Sequence, residues 1–336
     1  MPSQADLSLT VVTTALIVKS YCGNDFHMMK HQRTARRKDE QVSRPDLELL
    51  RGAIDMHAHT APALFPRPIY DTDLAKVALD YGMRGFVLKD HDSATFHRAF
   101  YLKRQFPGLE PVGAIVLNRS VGGLNPAVVQ AALQYGAKVI WMPSNHAKHH
   151  AEYFGMPDYP QLGRSRPQLP GPGVTVLDEA GKLKPEVHTI LELIAEHDAC
   201  LCTGHLDLDE VRLLQDAAIS AGVRKLVVTH VNWALCKKDL DLQRELIAKG
   251  AYLEYVAISC VSATFYEQTP HELAGWIMET KGDHIILSSD LGQGSGPPHP
   301  EGIRMLLYSL LDEGVPADYL EKMTKANPAF LTGLSA

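Results

Sequence analysis

Four histidines and one aspartate stand where short apolar runs of the sequence end. His57 and His59 form a His-x-His pair after the first such run, and His205, His230 and Asp290 each follow a later one. Alternate residues of a strand point the same way, so the paired imidazoles can hold one metal ion. Imidazole and carboxylate are ligands that Zn²⁺ and related divalent ions take in proteins. The five residues therefore predict a metal site, provided that the fold brings the ends of these runs together.

Eight apolar runs rich in strand-forming residues follow one another from residue 50 onwards. The runs cover residues 52–56, 85–88, 111–117, 138–142, 199–202, 225–228, 251–255 and 284–287. Segments of helical periodicity lie between most of them, at 71–81, 125–135, 185–197, 208–221, 240–249 and 270–280. This alternation is typical of a parallel sheet, and eight units predict an α/β fold of the (β/α)8 TIM-barrel type. The strands of such a barrel end at one face, where the five candidate ligands would converge.

The domain organisation follows from where this regular pattern starts and where it is interrupted. Residues 1–45 precede it and are predicted to form an N-terminal extension, while residues 46–336 form the barrel. The pattern is interrupted once, after the fourth run, where residues 145–184 are rich in Pro, Gly and His. We expect this segment to be an enlarged loop at the active-site face, since long ordered loops there usually act as lids or substrate walls. His146, nearest the strand, is its candidate pocket residue.

The composition argues against several classes of protein. Of the 336 residues 45% are hydrophobic and 21% are charged, which excludes wholesale disorder. The 33 Lys and Arg against 39 Asp and Glu give a net charge of −6, which argues against a partner nucleic acid or an anionic membrane. The apolar run 9–18 is too short to span a bilayer, which takes about 20 residues. Five cysteines without zinc-ribbon spacing favour a reducing cytoplasm.

The order of the candidate ligands resembles that of the amidohydrolase superfamily, and the resemblance covers residues 50–335. Ile54-Asp-Met-His-Ala-His and Gly82-Met-Arg-Gly-Phe-Val-Leu-Lys-Asp-His look like a branch known only as a domain of unknown function. The resemblance implies a metal-dependent hydrolase that activates water to cleave an amide, lactone or ester bond of a small molecule, in a barrel that is often a homo-oligomer. It gives Asp290 the role of general base, and Asp290 is also the one carboxylate among the five ligands.

Three other functions fit parts of the same pattern. A decarboxylase or lyase of the same superfamily would use the metal site for different chemistry. A phosphoesterase that also opens with His-x-His would close with an Asp-x-His motif, which is absent near Asp290. A non-catalytic, metal-bound binding protein would hold the same ligands without turnover.

The chain departs from the superfamily at the fourth strand. Many binuclear members carry there a carboxylated lysine that bridges two metal ions, whereas this strand reads Val139-Ile-Trp-Met-Pro. Lys89, at the end of the second strand, is the best replacement, because burial beside cations would lower its pKa and favour reaction with CO2. The alternatives are a binuclear site bridged by carbamylated Lys89, or a mononuclear site in which Lys89 contacts the substrate or a ligand. Zn²⁺ is the first candidate ion, followed by Mn or Fe. His91 shares the phase of Lys89 and is a further candidate catalytic residue.

Candidate substrate contacts lie at the other strand ends and loops. They are Arg67, Asn118, Arg119, Trp141, His146 and Tyr255. Arg67 or Arg119 could clamp a substrate carboxylate through two hydrogen bonds. Glu254 and Tyr255 end the seventh strand and face opposite ways, and Tyr255 is the one assigned to the substrate.

Overall fold

Nine short strands, each parallel to its neighbours, carry the barrel in the described residues. The computed structural model describes residues 43–155, 171–236 and 239–334. The strands are β1 (Ile54–Ala58), β2 (Gly85–Leu88), β3 (Glu110–Val112), β4 (Ala114–Val116), β5 (Val139–Trp141), β6 (Cys200–Cys202), β7 (Leu226–Val228), β8 (Tyr252–Val256) and β9 (Ile285–Ser288). They form a sheet of β1 to β3 and a sheet of β4 to β9, both in sequence order. The predicted α/β class with parallel strands is confirmed.

Gly113 divides one predicted strand into β3 and β4. A Cβ at this position would lie 2.3 Å from Cα of Phe96, so only glycine lets the two backbones approach so closely. Thr95 holds the crossing together, because its Oγ1 donates to O of Leu88 at 2.7 Å and accepts from N of Ala114 at 2.9 Å. The predicted run 111–117 is therefore one barrel strand in two segments, and the count of eight barrel strands holds.

The ends of the first and last strands lie side by side. Ala58 forms a parallel bridge with Leu291, and N of His59 donates to O of Leu291 at 3.0 Å. N of Asp290 donates to O of His57 at 2.9 Å. These bonds bring β9 back to β1, as a barrel requires, and they are made by the backbone of three candidate metal ligands.

Helices cover the outside of the strands. They are α1 (Pro45–Leu50), α2 (Asp71–Asp80), α3 (Phe96–Gln105), α4 (Pro126–Gln134), α5 (Lys148–Phe154), α6 (Pro185–Glu196), α7 (Leu208–Ser220), α8 (Leu240–Ala248), α9 (Ile258–Val261), α10 (Pro270–Thr280), α11 (His299–Asp312), α12 (Ala317–Glu321) and α13 (Asn327–Thr332). Two begin with reciprocal caps, Asp207 with Glu210 and Thr269 with Glu272, which satisfy the first N–H groups of α7 and α10. In the part of the chain that the structure describes, no helix is long and apolar enough to cross a membrane.

Alternate residues of each strand face two different apolar layers. Val87 belongs to the layer inside the barrel, and its neighbour Leu88 belongs to the layer between strands and helices. The same alternation turns Tyr255 towards the helices, because Tyr255 packs in the outer layer. Lys89 shares the inward phase of Val87, and Glu254 has the opposite phase to Tyr255. The two charged residues are therefore directed into the barrel.

The inserted loop is described at its two ends. Residues 156–170, at its centre, lie outside the described residues. Ala147 pairs with Val174 in a parallel bridge, and Leu177 pairs with Leu183 in an antiparallel one. The barrel belongs to one unit that begins at Arg44. Residues 1–42 of the expected extension also lie outside the described residues, so the extension remains a prediction.

Candidate metal centre

Three of the predicted ligands meet at the end of β1. Oδ1 of Asp290 lies 3.1 Å from Nε2 of His57 and 3.2 Å from Nε2 of His59. One donor atom of each residue lies within 4.8 Å of the others. Both histidines are buried, whereas the Asp290 side chain is 18% exposed. The carboxylate therefore joins two imidazoles on one side and reaches the cavity on the other.

The backbone at two predicted ligands is strained. His230 has a φ of 35° and Asp290 a φ of 50°, both in the left-handed region. This conformation costs a residue with a side chain roughly 1–3 kcal/mol, and it persists only where the surrounding structure holds it. Two hydrogen bonds hold the main chain of Asp290. Its N donates to O of His57, and its O accepts from Nε2 of Gln293 at 3.0 Å. The chain thus holds these two side chains in directions that relaxed backbone would not give.

The Nδ1 atoms of His57 and His59 are both engaged by the protein. Nδ1 of His57 lies 3.2 Å from each carboxylate oxygen of Glu254. Nδ1 of His59 lies 3.0 Å from the carbonyl oxygen of Lys89. A metal-binding histidine is usually oriented by such a bond through its other ring nitrogen. The arrangement makes Nε2, which faces Asp290, the candidate ligand atom of both residues.

The other two predicted ligands have the same arrangement. Nδ1 of His205 lies 2.8 Å from Nδ1 of His150, and Nδ1 of His230 lies 3.4 Å from Sγ of Cys236. The His205 and His230 rings are 4.8 Å apart, and Trp233 packs against both. All four predicted histidines therefore have a partner at Nδ1.

Lys89 reaches the centre of this group from β2. Its Nζ lies 2.9 Å from Nε2 of His57 and 5.3 Å above the ring of Trp141. Burial lowers the pKa of Lys89 below that of an exposed lysine. His91, two residues on, stacks on the His59 ring with 4.9 Å between centroids and places Nδ1 2.8 Å from Oγ of Ser144.

Burial determines the protonation of most of these imidazoles. It lowers the pKa of His230 to about 3, and it holds the pKa values of His59 and His205 well below the usual range. His57 differs, because the carboxylates of Asp290 and Glu254 overcome its burial and raise its pKa. The carboxylates thus favour a positive charge at His57, and the other rings are neutral as metal ligands must be.

A cavity opens over these groups. Its lining includes His59, Arg67, Lys89, His91, His205, His230 and Asp290 from the predicted set. Trp233, Ile258 and Phe265 add apolar walls, and Gln293 and Ser259 add polar ones. The structure therefore brings the predicted ligands, apart from buried His57, to the surface of a single pocket.

Residues 52–254 match the profile of a family described as "Family of unknown function (DUF6282)". The chain belongs to this family. A search with the chain found no match among curated proteins.

Solved structures with the same fold include several hydrolases. A protein engineered for organophosphate hydrolysis from a weak promiscuous lactonase template aligns with a TM-score of 0.55 and 16% identity, over 86% of this chain and 97% of that chain. An amidohydrolase from Pseudomonas aeruginosa aligns with a TM-score of 0.55 and 12% identity, over 87% and 98%. A lactonase from Listeria monocytogenes aligns with a TM-score of 0.55 and 13% identity, over 86% and 97%. These neighbours are amidohydrolase-superfamily proteins, and the likeness confirms the predicted barrel fold for this DUF6282 member.

Several predicted substrate residues of this DUF6282 protein lie behind the cavity. Nδ2 of buried Asn118 donates to Oγ of Ser144 and to O of His91, both at 2.8 Å. Trp141 lies in the interior apolar layer, with its ring 5.8 Å from that of His57. These two residues support ligand and pocket side chains and are not among those that line the cavity.

The remaining three predicted contacts also lie elsewhere. The Tyr255 hydroxyl donates to Oε1 of Gln243 at 2.6 Å, on the helix side of β8. N of Arg119 donates to Nδ1 of His146 at 3.2 Å, and His146 is buried. None of them is among the residues that line the described cavity, so of the six expected substrate contacts only Arg67 is in place.

Two carboxylates were not assigned to the site from the sequence. Glu254 is buried, holds His57 through Nδ1 and accepts from N of His230 at 3.1 Å. Oδ1 of Asp55 accepts from N of His57 at 3.1 Å and from N of Ser289 at 2.9 Å, and burial raises its pKa to about 6. A charged residue inside an otherwise apolar strand is the signal that could have identified both.

Proposed function

We propose that this protein is a metal-dependent hydrolase that cleaves an amide, lactone or ester bond of a small molecule. The observation that carries the proposal is the meeting of His57, His59 and Asp290 beside a cavity that His205 and His230 also line. Hydrolases among the proteins with the same fold support it. Five ligand side chains from four strand ends at one cavity have no evident purpose in packing.

The donor set fits one or two divalent ions, with Zn²⁺ first and Mn or Fe next. The pKa of Asp290 lies well below its usual range, because contacts with His57 and His59 outweigh the effect of burial. The ionised carboxylate and the neutral imidazoles of His59, His205 and His230 are protonation states that bind a cation, whereas His57 would release its proton on binding one. The chemistry that a divalent ion supplies in such a site is acidification of a coordinated water and polarisation of the scissile carbonyl.

Asp290 is the proposed general base. Its carboxylate is ionised and partly exposed to the cavity, so it can accept a proton from the attacking water and return it to the leaving group. Its strained backbone and the hydrogen bond to O of His57 fix the direction of the carboxylate. The proton transfer therefore needs no movement of the main chain.

Lys89 is proposed to carry a carbamate that bridges two ions. Its lowered pKa favours the neutral amine that reacts with CO2, and its Nζ lies 2.9 Å from a ligand atom of His57. The alternative is one ion beside an unmodified Lys89. Metal content and intact mass distinguish them: the bridge requires two ions per chain and the added mass of one CO2, which acid treatment removes.

Arg67 indicates the class of substrate. It is the arginine that lines the described cavity, and Trp233, Ile258 and Phe265 give the same cavity apolar walls. A guanidinium can bind a carboxylate through two parallel hydrogen bonds. We propose a substrate with an apolar body and one carboxylate, such as a lactone or cyclic amide of an organic acid.

Metal analysis and a substrate screen test the function. The purified protein should contain about one or two equivalents of Zn, Mn or Fe. A panel of amides, lactones, esters and phosphoesters, each with and without a carboxylate, together with carboxylic acids as candidates for decarboxylation, should yield hydrolysis that a chelator abolishes and the metal restores. Absence of any bound metal would refute the proposal, and decarboxylation without hydrolysis would reassign the reaction.

A further inference from the structure

One histidine of the inserted loop contacts a predicted ligand. His150 lies on α5 and is fully buried, while Lys148 on the same helix is exposed. Its Nδ1 lies 2.8 Å from Nδ1 of His205, and the two rings stack with 4.9 Å between centroids and 20° between planes. His150 is not among the residues that line the cavity, and its contact with a predicted ligand is the one with His205.

The short contact between the two Nδ1 atoms determines the tautomers. A hydrogen bond between two ring nitrogens needs a proton on one of them and a lone pair on the other. If His205 binds a metal through Nε2, its neutral ring must carry the proton on Nδ1. His205 then donates to Nδ1 of His150, and His150 carries its own proton on Nε2. The pair therefore presents the metal-binding nitrogen of His205 to the cavity.

Helix α5 is held firmly enough to fix this contact. N of Lys148 donates to O of Val174 at 2.8 Å, and Nε2 of His149 lies 3.0 Å from O of Leu235. The His150 ring packs on Phe154, which packs on Trp233 beside the predicted ligands. These contacts hold the helix to the later part of the inserted loop, to the segment after β7 and to the wall of the cavity.

We propose that His150 is a positioning residue, which makes metal binding by His205 depend on the inserted segment 145–184. His150 accepts the Nδ1 proton of His205 and so fixes the tautomer and the plane of that ring. The proposal rests on the proposed metal site. It adds that α5, in the described part of this segment, completes the support of a ligand.

The first test measures metal affinity of the metal-free protein by competition with a chromogenic chelator. His150→Ala should weaken Zn²⁺ affinity by about 10–100-fold, the usual effect of losing a residue that orients a ligand. His150→Asn should recover most of the loss, because the amide oxygen can accept from Nδ1 of His205. Glu152→Ala, in the exposed pair with Lys148 on the same helix, should bind as the wild type does. Unchanged affinity in His150→Ala, or no recovery in His150→Asn, would overturn the proposal.

A second test needs no metal. In protein labelled with ¹⁵N-histidine, the ring signals of His205 should report a proton on Nδ1 in the wild type and in His150→Asn, and a mixture of tautomers in His150→Ala. An unchanged His205 tautomer in His150→Ala would overturn the positioning role. If the wild type takes up no metal, the proposed function fails, while this measurement still decides whether His150 positions His205.

Discussion

The proposed function requires Asp290 to serve both as a ligand and as a base, and the contacts of its carboxylate suit both roles. Oδ1 of Asp290 contacts both His57 and His59, and the exposed part of the side chain faces the cavity. An asparagine keeps the shape and one ligand oxygen but cannot accept a proton. The two functions can therefore be separated by a single substitution.

We expect Asp290→Asn to lower kcat by about 10²–10⁴-fold, the usual contribution of a positioned acid or base. The protein should retain at least one metal ion, because His57 and His59 remain. Steady-state kinetics and metal analysis on the same preparation check both statements. Undiminished kcat would show that another group accepts the proton.

Glu254 is the residue that the sequence did not lead us to assign. Both of its carboxylate oxygens lie 3.2 Å from Nδ1 of His57, and it also fixes N of His230. Glu254→Gln keeps the size but removes the charge. We expect metal affinity to fall by about 10–100-fold. Glu245→Gln, in the surface pair with Arg212, is the matched control and should bind metal normally. Equal affinities of the two variants would remove Glu254 from the site.

The elements show which parts of the site could be predicted from sequence. The ends of parallel strands converge whatever their exact lengths, so His57, His205, His230 and Asp290 could be placed together. Which face of a strand a residue lies on is harder to predict, because a fully buried strand is apolar on both faces.

That ambiguity explains the placement of Tyr255. In the run 251–255 the side chains of Glu254 and Tyr255 point to opposite faces, and the run alone does not state which of the two faces inwards. The path of the inserted loop has no periodicity at all, so the contact of His150 with His205 could not be predicted. The positions of residues at strand ends could therefore be predicted from the order of the strands. The positions of residues that depend on which strand face points inwards, or on the course of a loop, could not.

A charged network attaches α1 to α11. The carboxylate of Asp46 is buried, and its Oδ2 lies 2.8 Å from Nη2 of Arg44 and 2.6 Å from Nη1 of Arg304. The hydrogen bond from Arg44, assisted by Arg304, lowers the pKa of Asp46 to about 2. The network should therefore stabilise the fold at neutral pH.

We expect Asp46→Asn to reduce the free energy of unfolding by about 1–3 kcal/mol. Because the folded pKa lies below the unfolded value of 3.8, this contribution is complete above that pH and is lost as the pH falls through about 2. Urea unfolding between pH 7 and pH 3 should show the gap between variant and wild type narrowing in acid. Asp283→Asn, in an exposed pair with Lys322, should cost about 0.5 kcal/mol or less. A pH-independent gap would contradict the linkage.

At the scale of the whole molecule, three of the five proposed metal ligands lie where the end of β9 returns to the end of β1. N of Asp290 donates to O of His57, and N of His59 donates to O of Leu291. A bound ion would connect the same two strand ends through their side chains. Metal load and global stability should therefore rise and fall together.

Removal of the metal should lower Tm by several degrees. Binding to the folded state alone stabilises by about 2.7 kcal/mol when the ligand is at a hundred times its Kd. Calorimetry of the chelated, untreated and reloaded protein measures the shift, and reloading should restore the original Tm. Identical Tm values for chelated and loaded protein, with metal content shown to differ, would mean that the ion does not support the closure.

The meeting of β1 and β9 also has a consequence for synthesis on the ribosome. His57 and His59 are made early, but their partners Asp290 and Leu291 follow β9, the last strand of the described residues. A nascent chain that lacks β9 exposes an incomplete set of ligands and an unpaired strand edge. Capture of the ion is then the final event of biogenesis, and a stalled chain would be a substrate for chaperones and proteases until that strand emerges.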